Sequence, residues 1–479
     1  ILYAGTDDGI IQYTKDGGKN WTKMTVDKLP GTPSSAFVND IKADLHDANT
    51  AYVVLDNHKF GDYKPYLFKT ENGGKTWKSI SNGIPDGTLL WRIVQDHVNE
   101  NILFLATEYG VYVSLNQGEE WHDFSRGLPT ISVRDLAIQK RENDLVLATF
   151  GRSFYVLDDY SALRKINAET LSKEGFIFEP RRALQYNQVS GGTTSDGMSS
   201  YYAKNPRYGA NIKYYIKESE ASLRSKRIAR ESFRGANLDV VEALVMAGYD
   251  NPRGLISEDI DDVAENSGLS KNEIKEVLSI VKSNIKTGVN IAFPGWEQLD
   301  AEINEDYAKA IIIIKDSNGN KVEEISRPLR RGVNEVNWDL TKDIVTTINS
   351  GSSYSSGLSR WVEPGNYTLE LYKSVKGDLT QISEPSSLIV ERIKIGTLTN
   401  PESDKHNEYY DMLAVLYKKV NKYRSVFEKS NERVKSYKSM VKYISSNRSE
   451  MEKNITALVE TENNFCLLYT SPSPRDTMS

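Results

Sequence analysis

Hydrophobic and polar residues alternate with period two over much of the first 160 residues, in short runs bounded by glycine or polar turns. "ILYAGT" (1–6), "GIIQY" (9–13), "YLFK" (66–69), "ILFLATEYG" (102–110) and "GVYV" (110–113) predict strands, because β-branched and aromatic side chains suit a pleated, half-buried surface. The alternation returns in "YGANIKYYIKE" (208–218), "AIIIIKDSNGNKVEEI" (310–325), "GVNEVNWDL" (332–340) and "EPGNYTLELY" (363–372), with Ser317, Asn318 and Gly319 forming a hairpin turn. These strands predict a small antiparallel sandwich.

The period changes to three and four residues in two places. Between about 224 and 290, "NLDVVEALVMAGY", residues 259–267 and "SKNEIKEVLSIVKSNI" predict three helices, the last opened by a Ser270/Glu273 capping box. Beyond Pro401, Leu413, Leu416, Val420, Tyr423 and Phe427 form an apolar stripe that Val434, Tyr437, Val441 and Ile444 continue. The stripe predicts a helical hairpin or coiled coil with its turn at "SSNRS" (445–449), packed on its own partner helix or the sandwich rather than on a second protein.

Aligning the tryptophans exposes a repeat. "TKDGGKNW" (14–21), "TENGGKTW" (70–77) and "SLNQGEEW" (114–121) share one pattern: Thr14, Asp16, Gly18 and Trp21; Thr70, Asn72, Gly74 and Trp77; Ser114, Asn116, Gly118 and Trp121. The starts lie 56 and 44 residues apart, near the ~40 to 50 residues of a four-stranded propeller blade. A fourth unit, 133–159, keeps the strands and lacks the motif. Residues 1–160 therefore read as three to four blades of a ring that needs ~4 to 8, in a chain that opens mid-strand as a fragment would. The third motif position accepts hydrogen bonds from its own turn, the glycine suits positive φ, and the tryptophan offers surface to bury. Asn72 and Asn116 stand where the first copy has Asp16, and an amide cannot serve as a general base or nucleophile.

The three motifs resemble the Asp-box of the bacterial neuraminidase repeat, found in sialidases, xyloglucan-type glycoside hydrolases, photosystem assembly factors and the sortilin/Vps10 ectodomain. The text of 102–159 looks most like bacterial sortilin/Vps10-like propeller proteins, a resemblance covering about one third of the chain. It implies that the motif builds a turn away from the ligand face, and that the ligand is a polypeptide or glycan. The strands "GVNEVNWDL" and "EPGNYTLELY" resemble immunoglobulin-like modules of bacterial secreted enzymes, including the type named after the flagellar hook-capping protein, with Trp338 in the core. The insert is similar to helix-hairpin-helix domains, with Gly268, Leu269 and Ser270 as the hairpin and "RSKRIARESFR" (224–234) as basic flank. Acidic residues over 258–265 and a serine at the second glycine position weigh against nucleic acid there.

Composition narrows this further. A net charge of -6 over 479 residues gives no global electrostatic case for nucleic acid or an anionic membrane, and no apolar run approaches the ~20 residues of a membrane helix. The single cysteine, Cys466, opens a tail (466–479) that resembles a translated sequencing adaptor and is set aside. Without it the chain has no cysteine, which fits cytoplasm or periplasm better than a disulfide-built ectodomain. Histidines 46, 58, 97, 122 and 406 show no paired ligand spacing, so neither a metal nor another cofactor is expected. Asp96, Glu108, Asp123 and Asp135, with Arg92, Arg134 and Arg152, are the candidates for glycosidase chemistry, and read as solvated or strand-end charges. Arg152, after Gly151, is the candidate for a ligand face, in competition with a brace on Asp158 or Asp159.

The expected architecture is mainly β. A partial propeller (1–160) leads through a linker (161–202) to an immunoglobulin-like sandwich (203–397) holding the helical insertion, and then to the helical hairpin (400–465). The expected function is an exported, non-catalytic binding or scaffold protein for polypeptide or glycan; a glycoside hydrolase is the alternative, and nucleic-acid binding through the insert the weakest reading.

Overall fold

A computed structural model describes residues 1–186, 205–231, 233–286, 293–343, 359–393, 403–443 and 446–469. The Gly/Ser-rich stretch 190–200, most of the polar loop 350–359 and the tail from 470 lie outside them. The chain forms two compact units, Ile1–Asp339 with Gly365–Glu391, and Leu340–Pro364 with the chain from Arg392 onward.

The first unit begins with four antiparallel meanders: β1 (Leu2–Gly5), β2 (Ile10–Thr14) and β3 (Thr22–Thr25); β4 (Phe37–Ala43), β5 (Ala51–Asn57), β6 (Asp62–Thr70) and β7 (Lys78–Ser79); β8 (Leu90–Gln95), β9 (Leu103–Thr107), β10 (Gly110–Ser114) and β11 (His122–Asp123); β12 (Val133–Gln139), β13 (Asp144–Thr149) and β14 (Phe154–Leu157). Strands β4, β8 and β12 approach one another while β7 and β11 lie at the far edges of their sheets, which is the fan of a propeller-type fold. A sheet between two others must bury both faces. Accordingly Val53 and Leu55 of β5 join Ile11, Phe68 and Trp77 on one side, while Tyr52 and Val54 join Ile80, Ile93, Leu105 and Trp121 on the other. Every residue of β5 and β9 is buried, and the last sheet buries chiefly one side of β13.

The fourth sheet does not end in a tryptophan turn. A 3-10 helix at Tyr160–Lys165 follows, capped by Asp159, and buried Tyr160 packs edge-on against Phe104 of the third sheet with ring centroids 5.1 Å apart. The described part of the segment expected to be a linker, 161–186, holds α1 (Ala168–Ser172), β15 (Gly175–Ile177) and β16 (Ala183–Gln185). Strand β15 joins β17 (Ala210–Ile216) and β20 (Gly332–Trp338) in one sheet. Strand β16 edges the other, formed with β18 (Lys309–Lys315), β19 (Lys321–Pro328), β23 (Gly365–Val375), β24 (Asp378–Gln381) and β25 (Ser386–Arg392). Alternate residues of β17 and β18 are buried, and Trp338 of one sheet meets Tyr367 of the other edge-on at 5.5 Å, which makes the sandwich core. Lys213 of β17 donates to the Asp159 carbonyl, and Arg181 lies 3.7 Å from Glu142, so fan and sandwich are tied within this unit.

The insertion has more helices than its periodicity predicts. Besides α3 (Leu238–Met246), α5 (Ile260–Ser267) and α6 (Lys271–Lys286) there are α2 (Leu223–Glu231), α4 (Pro252–Ser257) and α7 (Trp296–Ile303). The helices from α2 to α6 share a core around Phe233, Val241, Leu244, Ile274 and Val281. In the second unit a short hairpin, β21 (Thr341–Asp343) with β22 (Ser359–Trp361), accompanies the antiparallel helices α8 (Ser403–Val441) and α9 (Arg448–Tyr469). Helix α9 runs four residues into the stretch set aside as tail. No helix among the described residues is long and apolar enough to cross a membrane.

Candidate functional site

In a meander successive turns fall at opposite ends. The three tryptophan motifs, which join β2 to β3, β6 to β7 and β10 to β11, therefore share an end of the fan with the β4–β5 and β8–β9 turns. The β5–β6, β9–β10 and β13–β14 turns and the starts of β4, β8 and β12 lie at the opposite end.

At the motif end each turn closes on itself. The Gly18 N–H donates to Thr14 Oγ1 (3.1 Å) and the Asn20 N–H to Asp16 Oδ1 (2.9 Å). Gly74 repeats this with Thr70 (3.1 Å) and Thr76 with Asn72 (2.9 Å); Gly118 does so with Ser114 (2.8 Å) and Glu120 with Asn116 (3.0 Å). The Asn20 N–H, helped by the Thr14 hydroxyl and the Asn20 amide, holds the Asp16 carboxyl at about 2, far too acidic for a base working near neutrality. Asp16 and its two asparagine counterparts thus make the same bonds. Gly74 and Gly118 have φ of 88° and 87°, and a Cβ there would lie 2.9 Å from Tyr13 Cδ1 and 2.7 Å from Ile80 Cδ1 of the preceding sheet. At Gly18, also at positive φ, a Cβ would meet only the Trp21 ring of its own turn, at an ordinary contact distance of 3.8 Å. Gly74→Ala and Gly118→Ala are each expected to lower the unfolding free energy by about 1–3 kcal/mol, and Gly18→Ala by about 1 kcal/mol, as read by urea midpoints.

The opposite end carries an irregularity repeated three times. The ladders shift between Val38 and Asp40, between Leu90 and Arg92, and between Val133 and Asp135. One extra residue in each converging strand, Asn39, Trp91 and Arg134, is thereby pushed out of the ladder; bulges of this kind re-aim side chains at rims and sites. Asn39 Nδ2 donates to the Leu90 carbonyl at 2.8 Å. Trp91 Nε1 donates to Glu108 Oε2 at 3.0 Å, and Ser132 Oγ to the same atom at 2.9 Å. The Arg134 guanidinium lies 3.7 Å over the Trp91 ring, 5.4 Å from the Phe150 ring and 3.4 Å from Glu108 Oε2. The following residues form a charge row, with Arg92 at 3.1 Å from Asp40 and 3.6 Å from Asp135.

Next to this stack, His58 Nδ1 sits 2.5 Å from Oδ2 of buried Asp56, and its ring is edge-on to both Phe37 and Trp91. Lys59 covers Phe37 at 4.6 Å. Phe150 is 71 % exposed and Tyr109 60 % exposed at the same end. Arg152 is exposed in the β13–β14 turn beside them, whereas Asp158 and Asp159 follow β14 at its other end, so the expected brace is not formed. The surface is an aromatic platform with fixed cations. Stacking and cation–π contact suit sugar rings or apolar and aromatic side chains.

Of the residues flagged for chemistry, Arg92, Glu108, Arg134, Asp135 and Arg152 are thus brought to one end. Asp96 is not: it is fully buried at the motif end, where Arg164 binds both its oxygens (2.8 and 2.7 Å) and Tyr160 Oη donates at 2.7 Å. Asp123 lies on the outer strand β11 and accepts the Ser125 N–H. Asn39, Asp56, His58, Trp91 and Phe150 escaped sequence reasoning. Stacking "FVNDIK" (37–42), "LWRIVQ" (90–95) and "VRDLAI" (133–138) by repeat is the signal that finds the first and fourth, since it puts Asn39, Trp91 and Arg134 in one column and Asp40, Arg92 and Asp135 in the next.

The insert does not present the phosphate site of a helix hairpin. Glu273 Oε2 accepts the Ser270 N–H at 2.7 Å, so a carboxylate already occupies the start of α6. In the basic flank, Arg224, Arg227 and Arg230 are paired with Asp250, Glu302 and Glu231. Among the described residues no three His, Cys, Asp or Glu side chains are grouped to share a cation.

No family model matches the chain, and no curated protein does. Among solved structures, it is similar to the GH74 xyloglucanase from Xanthomonas campestris at 18% identity over 34% of this chain and 27% of that one, with a TM-score of 0.27. An ancestral GH74 enzyme matches at 17% identity over 45% and 29%, with a TM-score of 0.28. The extracellular domain of a protein described as a one component system from B. thetaiotaomicron matches at 12% over 81% and 36%, with a TM-score of 0.23. The chain spans about a third of the length of these structures, and similarity of this degree assigns no family.

Proposed function

We propose that the chain is an exported, non-catalytic binding protein of the sortilin/Vps10-like type, and that it engages glycan or polypeptide through the Trp91–Arg134–Phe150 face. The observation that supports this most directly is the bulge repeated at one position of β4, β8 and β12, which turns three consecutive sheets toward a common surface. On this reading the tryptophan motifs at the other end are turn-builders. A glycoside hydrolase is the second reading, because Glu108 and Asp135 both reach this end. Glu108, however, is bound by Trp91, Ser132 and Arg134, and Asp135 faces Arg92, so the carboxylates brace the platform.

The test is retention of the full chain on glycan and peptide arrays. Phe150→Ala and Arg134→Gln are expected to weaken the dominant interaction at least ~10-fold, equivalent to about 1.4 kcal/mol, with Asp16→Asn unchanged. Phe150 is largely exposed, so its variant also serves as a folding control. Hydrolysis of a fluorogenic glycoside that Glu108→Gln abolishes would replace this reading with the enzymatic one.

A further inference from the structure

Helix α8 has an apolar face that α9 does not cover. Ala414, Val434 and Val441 of α8 are buried. Tyr409, Leu416 and Tyr437, and Met412, Val426 and Met440, are each more than half exposed. Within its own unit the stripe is therefore only partly covered. The first three residues belong to the seven-residue series 409, 416, 423, 430, 437 and the others to the series 412, 419, 426, 433, 440. The two series are apolar at seven of their ten positions, interrupted by Lys419, Ser430 and Arg433, and a seven-residue repeat of this kind along a 39-residue helix suits the seam of a left-handed coiled coil, which a helix of matching period fills.

We propose that this face pairs with α8 of a second copy of the chain, antiparallel. The charges choose the occupant and its direction. A parallel in-register pair would set Lys419 against Lys419 and Arg433 against Arg433 within the seam, burying like charges. Antiparallel pairing that sets Tyr409 beside Met440 of a second copy puts Arg433 beside Leu416 and Lys419 beside Ser430 instead. It also brings Glu408 and Asp411, near the start of α8, to Lys442 and Lys438 near its end, complementary rather than repulsive. Each outer layer becomes a tyrosine on a methionine, a favourable sulfur–aromatic contact.

Sedimentation of the full chain from about 1 to about 100 µM tests this. A dimer is expected, and Leu416→Glu or Val426→Glu should weaken it at least ~10-fold; both sites are exposed in the single chain, so its circular dichroism should not change. Oxidation of a Cys466→Ser chain carrying both Tyr409→Cys and Met440→Cys should cross-link two copies, and Tyr409→Cys alone should not. A monomer throughout, a dimer indifferent to Leu416→Glu, or cross-linking through Tyr409→Cys alone would each overturn the proposal.

Discussion

Asp96→Asn is expected to lower the unfolding free energy of the first unit by about 3–5 kcal/mol, because it breaks a buried ion pair and strands the cation. Asp96 has no exposed surface and accepts hydrogen bonds from Arg164, Tyr160 and the Asn99 N–H. Arg164 also donates to Asn143 at 2.7 Å, so a single guanidinium ties the β8–β9 turn to the β12–β13 turn and the helix that follows. Burial pushes the Asp96 carboxyl up, but the donors outweigh it and hold it below its ordinary value; the same contacts raise Arg164 against the opposing effect of burial. A carboxyl depressed in the folded state adds stability above its unfolded value, near pH 4, and that stability is lost as pH falls through the lower folded value. The gap between wild type and Asp96→Asn in urea midpoint should therefore be full at pH 7 and shrink below about pH 4. A gap under about 1 kcal/mol at neutral pH would mean that the cluster is not a structural tie.

The same residue shows where sequence reasoning ran out. Asp96 sits in "QDHVNEN", indistinguishable from a solvated loop acid, because its partners Tyr160 and Arg164 lie 64 and 68 positions away. The tryptophan motifs were legible because the bonds that close each turn are local, within four residues, and so leave a fixed spacing in the chain. The mainly β architecture followed from them and from the period-two runs. Strands β15 and β16 were not legible: three residues each carry too little alternation, and they are held by β17 and β25, far along the chain. At the candidate site the charged residues were visible, but their grouping depends on bulges, which change which face a residue occupies without changing its spacing. The apolar stripe of α8 was read correctly as helical; which of its faces α9 covers depends on packing that periodicity does not encode.

Trp121→Ala is expected to cost about 3–5 kcal/mol, and Trp21→Ala less than about 1 kcal/mol, although the two residues hold the same place in the same motif. Trp121 is 2 % exposed, packs with Tyr52, Ile80 and Leu105, and donates from Nε1 to the Ile80 carbonyl at 2.7 Å across the boundary between the second and third sheets. Trp21 is 44 % exposed and donates only to the Gly18 carbonyl of its own turn. If the tryptophan's role is to bolt a sheet to the one before it, the cost must follow that boundary rather than the motif. Tyr160 extends the rule to the sheet without a motif, since its ring meets Phe104 and its hydroxyl meets Asp96 of the preceding sheet. Trp121→Phe should retain most of the packing and lose the Nε1 bond, for about 1–2 kcal/mol, and Tyr160→Phe should behave alike. Urea unfolding followed by circular dichroism reads all four variants without depending on tryptophan emission. Equal losses from Trp21→Ala and Trp121→Ala would place the tryptophan's contribution inside its own turn, and the fan would then need another explanation for its cohesion.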